Sequence, residues 1–210
     1  MTLEEIRILV RRKLYELDAT GVPTADLFVD DHIDVNINAE LRILPSKNVY
    51  LEELWTAPKI VGQLDYVLPD GTIKVEKVEE NIGTSTDPDW SEIKGGDTYG
   101  GALYLPTKPQ NTDDLRVHIK KKFTALEEDD DECELPDEKI DLLVLGASLK
   151  CYQDLMGMLL DSKNYDSIVK PDASSMRDLQ NWYRDLKVEY IDLLRTIRIS
   201  PRPREIDLCS

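Results

Sequence analysis

The first stripe of apolar residues along the chain has the spacing of an α-helix. Isoleucine, leucine and valine recur every three or four positions in MTLEEIRILVRRKLYEL. Thr2 and Glu5 stand three residues apart at the start of the stripe, which is the capping-box pattern of a helix N-terminus. The pattern predicts a helix over residues 2–17, followed by a turn at Gly21 and Pro23.

The second patterned segment, FVDDHIDVNINAELRIL, fits two periods at once. Alternate residues in its middle are apolar, as in a strand, but Ile33, Ile37 and Leu41 also fall on one helical stripe. Asp30 suits a helix N-cap and Pro45 a helix stop. Periodicity therefore favours a helix here, with a strand as the alternative.

The middle of the chain has a different pattern of residue types. Short runs rich in β-branched and aromatic residues alternate with turn sequences such as PDG, TDPD and KGGD between residues 49 and 123. These runs predict a small antiparallel sheet of meander type, inserted at about residues 48–125.

Two further helices are predicted after the sheet. The first, from Pro136 to about Leu160, is apolar over so wide an arc that it must be buried on more than one side. The second, at about 173–198, carries a narrow heptad seam that favours packing on a neighbouring helix. The residues expected to pack these helices, within the core or between subunits, are Leu143, Ala147, Leu155, Leu179, Tyr183, Leu186, Tyr190 and Leu193.

The segment after the last helix, ISPRPREIDLCS, contains two prolines that forbid a helix. It is predicted to be an extended C-terminal arm over residues 199–210. The expected fold class is therefore mainly α, with a bundle of about four helices over residues 1–200, the small inserted antiparallel sheet, and this arm.

Composition narrows the classes of function. The 210 residues carry a formal net charge of −16, so free nucleic acid is a poor partner, because gripping phosphates requires lysine and arginine. No run of about eighteen apolar residues exists, and the first residues lack the apolar core of a signal peptide, so no membrane segment is expected. The three cysteines are scattered, which argues against zinc and suits a reducing compartment.

The densest charge lies in the block EEDDDECELPDE, which begins at Glu127. Read as a calcium loop, the block lacks the glycine and has Cys133 where the ligand spacing requires oxygen donors. A solvated acidic loop ahead of a helix is therefore preferred over a metal site. His32 and His118 have no accompanying nucleophile motif, so neither catalysis nor a cofactor is predicted.

The order of segments resembles that of the head–tail connector, or adaptor, proteins of tailed bacteriophages. Four stretches carry the resemblance: TLEEIRILVRRKLYE, FVDDHIDVNINAELR, ALYLPTKPQNTDDLRVHIKKKF and DDDECELPDEKIDLLVLGASLKCYQDL. The second stretch is similar to the family's F-x-D-x-x-I-D-x-x-I-N-x-x-L helix, although Asn36 stands where many members carry an aromatic residue. The resemblance covers most of the chain and favours the helix over the strand in that stretch.

The resemblance implies a non-catalytic structural protein of the virion neck, made in the bacterial cytoplasm. Members form a ring, usually dodecameric, on the portal protein, so the implied partners are portal, neighbouring copies, and tail or stopper proteins. Packaged DNA would pass through without specific binding, beside a channel-facing acidic loop formed by Glu127, Glu128, Asp129, Asp130, Asp131 and Glu132. The residues of the expected portal-binding arm are Ile199, Pro201, Arg202, Pro203, Arg204, Ile206 and Leu208.

An alternative from another class is an acidic DNA mimic that inhibits a DNA-processing enzyme. The net charge suits such a protein, but its carboxylates would be spread along one face, and a basic extended tail would have no role.

Overall fold

Two compact units make up the protein. Residues Met1–Asn48 and Thr124–Ser210 form one unit, and Val49–Phe123 form the other. The computed structural model describes residues 1–14, 28–83, 87–108, 114–161 and 173–199.

The first unit contains the helices. Their bounds are Leu3–Lys13 for α1, Asp30–Ile43 for α2, Asp137–Asp161 for α3 and Ala173–Ile199 for α4, and a 3₁₀ turn at Leu44–Lys47 follows α2.

The capping box predicted for α1 is confirmed. The Thr2 side chain accepts a hydrogen bond from the backbone N–H of Glu5, and the Glu5 carboxylate accepts one from the N–H of Thr2. The helix ends at Lys13, earlier than the predicted residue 17.

The second segment, which fits both periods, is a helix. Its buried apolar residues recur at the spacing of a helix. Ile33, Ile37 and Leu41 are all buried. The predicted role of Asp30 as N-cap is wrong: Asp30 is the first helical residue, and its carboxylate accepts a hydrogen bond from Arg11 Nη2 at 2.8 Å.

The second unit contains two antiparallel sheets. A four-stranded sheet has the order β1-β7-β3-β4, and a three-stranded sheet has the order β2-β6-β5. The strands are β1 Leu51–Pro58, β2 Asp65–Val67, β3 Thr72–Asn81, β4 Trp90–Glu92, β5 Asp97–Tyr99, β6 Ala102–Tyr104 and β7 Asp114–Lys121.

The expectation of a mainly α fold with one small meander sheet is wrong. The described chain has seven strands in two sheets beside its four helices, which is a mixed α/β fold. The strand order differs from a meander because β7, the last strand, pairs with both β1 and β3. Leu115, Val117 and Ile119 alternate along β7, so a central position buries all three in a core of the unit's own. That core consists of Ala57, Tyr66, Leu68, Val78, Leu103, Leu105, Leu115, Val117 and Ile119.

Helices α2, α3 and α4 meet around the buried carboxylate of Glu40. This residue is 1% exposed. Its oxygens accept hydrogen bonds from Lys47 Nζ at 2.8 Å, Lys150 Nζ at 2.8 Å and the Tyr190 hydroxyl at 2.5 Å. The same hydroxyl accepts a hydrogen bond from Lys47. A buried charge is tolerated only when it is paired and hydrogen-bonded, and each partner here comes from a different element.

Gly146 of α3 leaves the space that the Glu40 side chain fills. A Cβ atom at this position would lie 2.4 Å from Glu40 Cδ and 2.5 Å from its Cγ. Such distances lie well inside van der Waals contact, so any side chain would displace the carboxylate from its partners.

We predict that Gly146→Ala destabilises the protein by about 1–3 kcal/mol, because the new methyl group overpacks the site around Glu40. This outcome opposes helix propensity, which favours alanine over glycine by about 1 kcal/mol. Urea unfolding followed by circular dichroism measures the difference.

Gly157 provides the matched control in the same helix. A Cβ there would meet nothing within 4 Å, so Gly157→Ala should be neutral or stabilising by up to about 1 kcal/mol. Equal effects of the two substitutions would show that Gly146 is not required for space.

Candidate functional site

The residues predicted to pack α3 and α4 are mainly buried within the helical unit of the chain itself. Leu143, Ala147, Leu179, Leu186 and Tyr190 are buried, whereas Leu155, Tyr183 and Leu193 are half-buried. The chain therefore uses most of this seam within its own helical unit, and a contact between copies would need other faces.

The outer face of α4 carries apolar residues that the sequence analysis did not single out. Val188 and Ile191 are exposed and stand three residues apart, between the exposed Arg184 and Arg195. Trp182 is also exposed. The heptad seam lies on the other side of α4, and periodicity does not show which residues are exposed when both faces of a helix hold apolar residues.

The acidic loop, residues 127–132, lies against the N-terminus of α1. The backbone N–H of Leu3 donates to the carbonyl of Asp131 at 3.1 Å, and that of Glu4 donates to the carbonyl of Asp129 at 3.2 Å. These are two of the N–H groups that a helix N-terminus leaves without partners. The loop thus completes the cap of α1 with its backbone.

Two carboxylates of the loop have defined partners. Asp131 accepts hydrogen bonds from the backbone N–H groups of Glu128 and Glu127, and these bonds lower the pKa of its carboxyl group. Asp129 accepts a hydrogen bond from Arg7 Nη2 at 2.9 Å. Glu127, Glu128, Asp130 and Glu132 are exposed to solvent.

Arg7 joins the acidic loop to α2. Its guanidinium forms a two-point contact with Asp34, from Nε to Oδ1 at 2.9 Å and from Nη2 to Oδ2 at 2.8 Å. The pKa of Arg7 is raised chiefly by its hydrogen bond with Asp34, against the opposing effect of burial. The two-point ion pair with Asp34 fixes the position of the guanidinium, which in turn holds Asp129 of the loop by one hydrogen bond.

The two histidines each contact a carboxylate. His32 Nε2 lies 2.9 Å from Asp154 Oδ2, which also accepts a hydrogen bond from Asn36 Nδ2 at 3.0 Å. His118 Nε2 lies 2.9 Å from Glu79. Asn36 thus serves as a polar link between α2 and α3.

The expected portal-binding arm falls almost entirely outside the described residues. Ile199 ends α4, and residues 200–210 are not described. The assignment of the arm to the portal stays a prediction. In the described part of the chain, no group of three or more His, Cys, Asp or Glu side chains could hold a metal ion.

Among the described residues, Glu40 is the most deeply buried carboxylate, and its partners keep it ionised. Burial alone would raise its pKa, but hydrogen bonds from Lys150, Lys47 and Tyr190 outweigh burial and hold the pKa below the usual 4.5. Its oxygens face three donors from the protein itself, so the arrangement fixes helices and offers no free group for chemistry. A charge pattern in sequence does not reveal such a site, because Lys150 and Tyr190 are far from Glu40 along the chain.

We predict that Glu40→Gln lowers the free energy of unfolding by about 3–5 kcal/mol at neutral pH, because it leaves two lysines without their buried counter-charge. The folded-state pKa of Glu40 is depressed, so its contribution is fully present above the unfolded pKa of about 4.5 and is lost as the pH falls through the folded value. The gap between variant and wild type should therefore narrow below about pH 4.5.

Urea midpoints measured from neutral pH into the acid range provide the check. Glu128→Gln is the control, because Glu128 is exposed, and it should follow the wild-type curve. A gap for Glu40→Gln that stays constant into acid would contradict the assignment of a lowered pKa.

Comparisons with known proteins leave the family open. Neither the family models nor the curated proteins that were searched match this chain. Within the described residues, none of the helices combines the length and the apolar character needed to cross a membrane.

Proposed function

We propose that the protein is a structural head–tail connector of a tailed bacteriophage, without catalytic activity. It assembles as a ring on the portal protein, with twelve copies as the resemblance to the connector family implies. The ring joins the capsid to tail or stopper proteins in the virion neck and surrounds the channel through which DNA leaves.

The observation that carries the proposal is the apolar outer face of α4. Val188 and Ile191 lie exposed between Arg184 and Arg195, although the same helix buries its other face within the subunit. An apolar pair with a charged rim is typical of a protein contact surface. A side-to-side contact in a closed ring needs such a surface outside the subunit's own core.

The acidic loop supports the channel part of the proposal. Arg7 and the N-terminus of α1 fix the loop, while four of its carboxylates face solvent. A fixed acidic surface repels phosphates and makes no hydrogen-bond donors available to them, so DNA slides past it without a specific grip.

Mixing the purified protein with portal tests the proposal. We predict a ring complex of the two proteins in mass photometry and in electron micrographs. The double variant Val188→Asp with Ile191→Asp should stay folded, since both side chains are exposed, but should fail to form the ring. Val29→Asp, at an exposed valine outside α4, is the matched control and should leave the ring intact.

Two outcomes would remove the connector function. One is that the protein does not bind portal at micromolar concentration, whether portal is present as single subunits or as a ring. The other is a protein that binds a DNA-processing enzyme in its place, which would favour the DNA-mimic alternative.

A further inference from the structure

The three-stranded sheet presents one face to solvent in two rows of side chains. In one row Asp65 lies opposite Tyr104, and Tyr104 lies opposite Asp97. In the next row Val67 lies opposite Ala102, and Ala102 lies opposite Tyr99. Residues two apart on a strand share a face, so all six side chains point the same way. We call these six residues the outer sheet face.

The opposite face of the same sheet packs into the core of the β unit. Tyr66 and Leu103, between the two rows, are buried in the core of the unit. The outer sheet face is open: Val67 is 80% exposed, Tyr99 81% and Tyr104 41%. Large apolar and aromatic groups left open on a rigid sheet are typical of a docking surface.

The charged row is suited to a guanidinium group. Side chains directly opposite each other on neighbouring strands lie about 5 Å apart, so Tyr104 has a carboxylate on each side. Asp97 accepts a hydrogen bond from the backbone N–H of Thr98, and neither Asp97 nor Asp65 forms an ion pair within the described residues. A cation above the Tyr104 ring would gain from the ring and from both carboxylates.

The apolar row is suited to an aliphatic side chain. It lies two residues along the strands from the charged row, a distance of about 6.6 Å. An extended segment that lays an arginine on the first row therefore reaches the second row with the residue two positions away. The two rows therefore suit an extended segment in which an arginine is followed, two positions later, by an aliphatic residue.

The chain itself contains that pattern in its C-terminal sequence, where Arg204 precedes Ile206 by two residues. Proline fixes its own φ and disfavours a helical conformation in the residue before it, so the sequence with Pro201 and Pro203 favours an extended chain. In an extended conformation Arg204 and Ile206 share one side, and Glu205 faces the other.

We propose that the outer sheet face binds the C-terminal segment of a second copy, with Arg204 on Tyr104 between Asp65 and Asp97, and with Ile206 on Val67, Ala102 and Tyr99. The choice of a second copy rests on the proposed ring. The contact links the β unit of one copy to the C-terminal segment of its neighbour, and it assigns to a neighbouring copy the segment that the resemblance to the connector family assigns to portal.

Site-specific photocrosslinking tests the contact directly. Tyr99 is replaced by p-benzoylphenylalanine in the full chain, and isotopically heavy and light protein are mixed before irradiation, with and without portal. The expected result is a heavy–light crosslink that joins position 99 to residues within 202–208. Crosslinks confined to a single copy, crosslinks to portal, or no crosslink at all would each overturn the proposal.

A charge reversal tests the guanidinium site. Arg204→Glu and Asp97→Arg should each lower the crosslink yield about tenfold, the equivalent of about 1.4 kcal/mol of binding. Combining both substitutions in one chain should restore most of the yield, because the ion pair is re-formed in reverse. Asp114→Arg makes the same charge change at an exposed position elsewhere in the β unit and should have no effect. Failure of the combined variant to recover would overturn the pairing of Arg204 with Asp97.

The same samples separate this inference from the connector function. Portal binding without a crosslink between copies would remove the inference and leave the connector function. A crosslink between copies in a protein that does not bind portal would keep the contact and remove the connector function.

Discussion

The helical unit depends on the neutralisation of one buried charge. Glu40 is enclosed by α2, α3 and α4, and a carboxylate in that position requires donors from every side. Lys47, Lys150 and Tyr190 meet the requirement only when the 3₁₀ turn, α3 and α4 all occupy their places. Unlike apolar packing, which tolerates small shifts, this polar cluster accepts one arrangement of the helices.

A second polar cluster joins α1, α2 and the acidic loop. Arg7 binds Asp34 of α2 and Asp129 of the acidic loop, while the loop backbone caps α1. The acidic loop therefore has two roles that are not in conflict. Its backbone and two of its carboxylates are structural, and its remaining carboxylates form a negatively charged surface.

The sequence predicts the features that depend on neighbouring residues. The four helices, the capping box at Thr2 and the separate β texture all follow from local periodicity and turn residues. The strand order does not follow, because the central position of β7 is decided by packing between residues distant in sequence. The burial of Glu40 is not predictable from the sequence for the same reason. Its period marks it as a polar helix residue. Lys47 is only seven residues away, but Gly146 and Lys150, which complete the buried site, are remote along the chain.

The expected mainly α fold class is wrong for a related reason. Each strand taken alone is short and polar, which favours the interpretation of the sheet as an addition to a helical bundle. In the structure the alternate apolar residues of β7 are shared with β1 on one side and β3 on the other, which gives the second unit a core of its own.

The position of β7 also sets the order in which the β unit can form during synthesis. Strands β1 and β3 are made first, yet they do not pair with each other, because the strand that separates them is the last of the seven to be made. Leu51 of β1, for example, cannot pair until its partner Lys121 of β7 has been synthesised. The four-stranded sheet therefore closes only after the whole segment has left the ribosome, and until then β1 and β3 expose edges that can pair with other chains. A chaperone or rapid completion of the segment would protect the nascent protein in this interval.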